Sequence, residues 1–251
     1  LLSVTPGAFA WDQQDNHYKL RLDADMKRAH VEADVWIEGK ELAMFNVSAV
    51  PGLKNGQAEF IEKLEVRDGS GKLVPWVDKG EGDYELKGDR RLRLQYSVRL
   101  EHDKYNWPGG LEEVAYRTDE GLMAVAYYLF LVPGEKMLGK TRVEFDLPSS
   151  WQARTPWRAT DKTNVFIADT RRDLVNNALF LGTAQAERFT AGGIELQMVL
   201  GKRYWPQRAM MKSLIESQMQ SYLAMFGKPP LAERYLIIAN QGDTGDGGAF
   251  A

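Results

Sequence analysis

The residues of greatest chemical promise in this 251-residue sequence stand at its C-terminal end. Asn240-Gln241-Gly242-Asp243-Thr244-Gly245-Asp246-Gly247-Gly248 is polar and glycine-rich, and it runs on into Ala249-Phe250-Ala251. Glycine lets another backbone approach closely. Gly247, Gly248, Ala249 and Phe250 can therefore offer N–H and C=O groups to an extended peptide, or simply form a turn between strands. Asp243-Thr244-Gly245 matches the triplet around an aspartic-protease carboxylate, but that chemistry needs a second copy as partner. Asp243 and Asp246 with their glycines lack the remaining ligand positions and closing Glu of a calcium loop.

Zinc hydrolysis requires two histidines one helical turn apart, with a carboxylate as general base beside the metal. The three histidines, His17, His30 and His102, are widely separated, each in or beside a strand pattern. That placement fits strand packing or surface, not ligation. Cysteine is absent, which removes disulfides, thiol nucleophiles and cysteine zinc sites together. Glu112-Glu113 and Asp119-Glu120 lie in polar connecting sequence. A general acid needs a desolvated carboxyl, and here a solvated loop is the assignment. Asp103 to Leu111, with Tyr105 and Trp107, reads as a long aromatic loop pinned to its own domain, with sugar stacking or a cleft wall as the alternatives.

Charge narrows the classes further. The net charge of −3 comes from 32 basic and 35 acidic residues interspersed along the chain, so no basic stripe marks a nucleic-acid partner. Arg90, Arg91 and Arg93 alternate with Leu92 and Leu94, as a solvated strand face does. The apolar run from Leu122 to Val132 is too short for a membrane span of about 20 residues and reads as a buried strand. Near the start, Ala8-Phe9-Ala10 followed by polar Trp11-Asp12 matches the tail of a secretory signal peptide cleaved after Ala10, or else an ordinary leader. The first reading places the protein in the periplasm or outside the cell, the second in the cytoplasm.

These residues must be positioned by strands. Tyr18-Leu20-Leu22, Val31-Ala33-Val35-Ile37 and Leu92-Leu94-Tyr96-Val98-Leu100 alternate with period two, as a sheet with one buried and one wet face requires. Turn signals punctuate the runs at Pro51-Gly52, Asn55-Gly56, Asp68-Gly69, Gly88-Asp89, Pro108-Gly109 and Pro133-Gly134. The expected fold is mainly β, an antiparallel β-sandwich over residues 11–188. Past that point the period changes. Ile194-Leu196-Met198 gives a strand, and Met211, Leu214, Ile215, Tyr222, Leu223 and Phe226 mark an amphipathic helix. Pro206 suits its first turn and Gly227 before Pro229-Pro230 its end. Tyr235 to Ala239 reads as a buried strand. One helix and two strands bury too little to stand alone, so residues 189–251 are expected to be the incomplete start of a second domain.

Leu147-Pro148-Ser149-Ser150-Trp151 with Thr155, Leu223-Ala224-Met225-Phe226-Gly227 before Pro229, and Arg234-Tyr235-Leu236-Ile237-Ile238 occur in this order and spacing. With Tyr128-Leu129-Phe130-Leu131-Val132-Pro133-Gly134, they resemble segments of the glycyl aminopeptidase-like metallopeptidases, gluzincins related to aminopeptidase N. Gly247-Gly248-Ala249-Phe250-Ala251 falls where that family carries "GG-x-E-H". The resemblance implies an N-terminal β-sandwich packed on a thermolysin-like α+β domain, often followed by a PDZ domain. It also implies zinc held by an H-E-x-x-H helix beyond Ala251, and a peptide substrate. One departure stands out. The family's Glu binds the substrate's free amine, and Phe250 occupies the matching position. The expectation is a non-catalytic N-terminal portion that walls a peptide-binding cleft, metal-free and inactive by itself. The rival is a secreted β-sandwich module that binds carbohydrate or protein through Tyr105–Trp107.

Overall fold

The computed structural model describes residues 15–44, 52–53, 55–86, 90–101, 114–134 and 139–241. The alternating runs become strands: β1 (Asn16–Leu22), β2 (Arg28–Ile37), β3 (Glu41–Ala43), β4 (Ile61–Asp68), β5 (Val77–Gly80), β6 (Asp83–Glu85) and β7 (Arg90–Arg99). There follow β8 (Tyr116–Thr118), β9 (Gly121–Val125), β10 (Val132–Pro133), β11 (Thr141–Asp146), β12 (Gln152–Arg154), β13 (Arg158–Ala159) and β14 (Val165–Ala168). The last part holds α1 (Arg171–Val175), β15 (Ala178–Gly182), β16 (Gln185–Ala191), β17 (Ile194–Leu200), α2 (Arg208–Phe226) and β18 (Arg234–Ala239).

Seven strands form the main sheet in the order β13-β14-β11-β1-β2-β7-β4. Its pairs are antiparallel except one. β1 runs parallel to β11, with Asn16 opposite Thr141, so the sheet is mixed at its centre. Tyr18, Leu20, Val31, Val35, Leu92, Leu94 and Val98 point to its inner face and are buried. There they share one core with Leu42 and Tyr84 of the sheet β10-β3-β6-β5 and with Leu122, Leu179 and Leu181 of the sheet β12-β15-β9-β8. This is the layered, mainly β architecture that the period-two pattern calls for.

The apolar run from Leu122 to Val132 is buried as expected, but it is not one strand. β9 ends at Val125, Ala126–Tyr128 form a 3-10 turn, and Leu129 and Phe130 donate back to Ala126 O. Irregular backbone inside a core must find partners for its polar groups. Two tyrosines of the main sheet supply them. Tyr18 Oη donates to Leu131 O at 2.8 Å, and Tyr96 Oη donates to Leu129 O and accepts from Leu131 N, both at 2.9 Å. Burial holds both phenols well above their usual pKa. The fully buried Tyr128, 4.3 Å from the Tyr127 ring, accepts from Gln57 Nε2 at 3.1 Å.

The fourth sheet, β16-β17-β18, is different in kind. β16 and β17 form a hairpin, and β18 returns parallel to β17 after α2, so the expected strand–helix–strand is present. Trp205–Gln207, with Pro206, make a 3-10 turn before α2. Gly227, at φ 69°, closes the helix by donating to Leu223 O at 2.8 Å, in the left-handed conformation that glycine adopts freely. Two expectations change here. No residue of α2 is buried, and Leu214, Tyr222 and Phe226 are exposed while Ile215 and Met219 lean on Ala191, Ile194 and Leu196. β18 is half-exposed instead of buried, because among the described residues nothing covers its outer edge or most of α2.

Candidate functional site

Gly247, Gly248, Ala249 and Phe250 lie outside the described residues, as do His102, the Asp243–Asp246 pair and the Tyr105–Trp107 loop of the rival reading. The structure does describe the strand that leads into the glycine-rich segment. β18 is fastened at both ends to the β-rich part of the chain. At its start, Arg234 Nε donates to Pro156 O at 3.1 Å, and its guanidinium is 3.7 Å from Asp169. Asp169 also accepts from Arg158 at 2.8 Å, so one carboxylate ties β13 to the beginning of β18. Grooves of about 270 and 380 Å³ flank this corner and share Pro156, Trp157, Arg234 and Tyr235.

The far end of β18 is fastened as well. Asn240 Nδ2 donates to Thr118 Oγ1 at 3.2 Å, and Glu120 N donates to the same oxygen at 3.2 Å. A Glu120 carboxylate oxygen accepts from Lys202 N, just beyond β17, at 2.9 Å. Its carbonyl accepts from Thr183 N at 2.7 Å and Thr183 Oγ1 at 3.3 Å. One residue therefore joins the β8–β9 turn, the exit of β15 and the exit of β17. The approach demands glycine at 182, where backbone stands in the way, and at 201 a side chain would displace the Asn240 and Glu120 ends. A Cβ on Gly201 would fall 2.3 Å from Asn240 Oδ1 and 2.8 Å from Glu120 Oε2, and one on Gly182 would fall 2.0 Å from Glu120 O.

This corrects the assignment of Asp119-Glu120 to a solvated loop. Asp119 is exposed, but Glu120 is 9 % exposed and bonded on three sides. Its sequence signal was the step from Glu120 to Gly121 and straight into an unbroken apolar run. Strand 121–125 begins there, so the preceding turn is drawn inward with it. The histidines stand on strands as expected: His17 in β1 is 3.5 Å from Glu144, and His30 in β2 contacts Ser97 and Asp23. Among the described residues no three His, Asp or Glu side chains converge as a metal requires, so the donor set for zinc is not among them. No described helix is long and apolar enough to cross a membrane.

The arrangement offers a parallel β17–β18 pair whose carboxyl ends, at Gly201 and Asn240, open beside the Thr118–Glu120 turn. In open sheets with helical crossovers, ligands are met at that end of the strands. β18 also has an unpaired outer edge among the described residues, a ready row of backbone donors and acceptors.

Comparison with known proteins gives three findings. The family model for the Peptidase M61 N-terminal domain matches residues 17–183. No curated protein matches the chain. Among solved structures, the crystal structure of an aminopeptidase N family protein from Idiomarina loihiensis is similar, with a TM-score of 0.66 at 18 % identity. That match covers 88 % of this chain and 38 % of the other, so the likeness is one of fold and spans well under half of that protein.

Proposed function

The chain belongs to the Peptidase M61 N-terminal domain family, and from that membership we propose that it is the non-catalytic N-terminal portion of a zinc metallopeptidase-like protein, in which it walls the peptide-binding cleft. The observation that carries the reading is β18: an edge strand clamped at Arg234 and Asn240, leading directly into residues 242–251. An extended peptide pairing with that edge gains main-chain hydrogen bonds without regard to its sequence. The exposed faces of α2 and β18 are then the surfaces on which the remainder of a thermolysin-like domain packs. Zinc would be supplied with its ligands by that remainder, since the described residues hold no ligand set.

Phe250 sharpens the substrate class. A phenyl ring offers no charge to a substrate's ammonium, so recognition of a free N-terminus by this position is absent from the reading. The test is hydrolysis by the complete natural protein of one peptide series in free-amine and N-acetylated forms. Comparable kcat/KM for the two forms is expected, with Phe250→Glu shifting preference toward the free amine. A strict requirement for the free amine would overturn the assignment of Phe250, and the absence of any hydrolysis would overturn the peptidase reading.

A further inference from the structure

On the solvent face of the main sheet, far in sequence from the β18 corner, a serine, a histidine and an aspartate stand in contact. His30 of β2 and Ser97 of β7 are direct cross-strand partners, and Ser97 Oγ lies 2.9 Å from His30 Nδ1. His30 Nε2 lies 3.0 and 3.1 Å from the two carboxylate oxygens of Asp23, in the β1–β2 turn. Burial would raise the Asp23 pKa, but the hydrogen bond and charge of His30, with the charge of Arg21, hold it below the usual carboxylate range. An ionised carboxylate only accepts, so whichever proton His30 gives up, the ring hydrogen facing Asp23 stays on Nε2. Nδ1 then keeps its lone pair for the Ser97 hydroxyl.

Two further features point to a site. Ser97 and His30 open on a groove of about 310 Å³ that also presents Lys19, Arg21, Lys63, Glu32 and Asp146, with Asp23 behind the imidazole and outside the lining. Among the described residues, two non-glycine positions with left-handed backbone lie close by: Lys63 in the groove's lining and Met26 in the turn that carries Asp23. Met26, at φ 56°, is in the turn that carries Asp23 and donates to Asp23 O at 2.9 Å. Lys63, at φ 57°, is in the register shift of β4, next to Glu62, the cross-strand partner of Ser97. Such conformations are strained for residues with a side chain and gather where a surface is shaped for a task, and bulges recur beside active sites.

We propose that Ser97 is a nucleophile with His30 as its general base and Asp23 as the residue that orients the imidazole, and that the groove takes the acyl group of small esters. The distances are those of an activated hydroxyl. Ser97 Oγ bonds to the ester carbonyl carbon while His30 Nδ1 takes the hydroxyl proton, and the carbonyl electron pair moves to oxygen, within the field of the Lys63 ammonium. Collapse breaks the bond to the alcohol oxygen, which leaves with the proton from His30. Water then cleaves the acyl-serine by the same route, releasing the carboxylic acid and restoring Ser97. The ring nitrogens exchange the roles they hold in the familiar triad, which the chemistry permits because either nitrogen can carry the proton.

The experiment treats this chain with a fluorophosphonate probe and locates the adduct by peptide mass mapping, with p-nitrophenyl acetate hydrolysis as the second readout. Expected is a single adduct on Ser97, absent in Ser97→Ala and slowed about 100-fold or more in His30→Gln. Asp23→Asn should slow labelling and move the midpoint of its pH profile, which a purely structural role would not do. Circular dichroism melts check that each variant is folded. No adduct on Ser97 in the unaltered chain would overturn the proposal, whatever the variants do. So would equal labelling of folded His30→Gln.

Discussion

The core beneath the main sheet encloses its apolar residues, whereas in the sheet β16-β17-β18 with α2 the central strand β17 is mostly buried and the helix is not. Under the main sheet, Tyr18, Phe130, Leu92 and Val98 are fully buried, and even an irregular stretch of backbone finds tyrosine hydroxyls for its polar groups. α2 buries none of its 19 residues, and Met225 and Phe226 are 75 % and 57 % exposed. The difference is between a core that buries its large apolar side chains and a helix that leaves Met210, Leu214, Met225 and Phe226 exposed.

The largest losses are expected in the core. Phe130→Ala empties space between Tyr18, at 5.3 Å, and Trp157, at 6.3 Å between ring centroids. It should cost about 3–5 kcal/mol in denaturant unfolding. Tyr96→Phe is subtler: it keeps the ring and removes the acceptor of Leu131 N, leaving a buried N–H unpaired. A loss of about 1–3 kcal/mol is expected in the same assay. Alkali attacks the same region. Burial first, then Asp78, pushes the Tyr84 pKa up to about 12, above an unfolded value near 10. The folded state therefore favours the neutral phenol. Its contribution is complete below pH of about 10 and is lost as pH rises toward the folded value. Thermal melts across that range should fall, and less so in Tyr84→Phe.

At the corner that joins the two regions, Glu120→Ala deletes the acceptor of Lys202 N. The expected cost is about 1 kcal/mol, read as faster amide exchange at the ends of β17 and β18 with the main sheet unchanged. Equal acceleration everywhere would mean the regions are not separable. Smallest of all, Leu214→Ala on the open face of α2 should change stability of this chain by less than about 0.5 kcal/mol.

Period-two alternation made the main sheet legible because each strand has one wet and one buried face. The 194–239 strand–helix–strand was equally legible from spacing, Pro206 and Gly227. Burial was not. Tyr235 to Ala239 and the apolar side of α2 carry the composition of a core, and composition does not say whether the covering partner is present. The break at Ala126 was hidden for a related reason: a fully apolar run has no period, and its turn is set by Asn177 O and the tyrosines, all remote in sequence. Glu120 and the Ser97–His30–Asp23 contact were missed because their partners lie up to 82 residues away. The glycine-rich segment was singled out by composition alone, and its residues 247–250 lie outside the described structure.

In the proposed function β18 is the wall that a peptide meets. Amide hydrogen exchange of the complete natural protein, with and without a non-hydrolysable extended peptide, tests this directly. Selective protection of residues 235–241 on peptide addition is the predicted result. Protection confined to other strands, with β18 exchanging unchanged at saturating peptide, would contradict it.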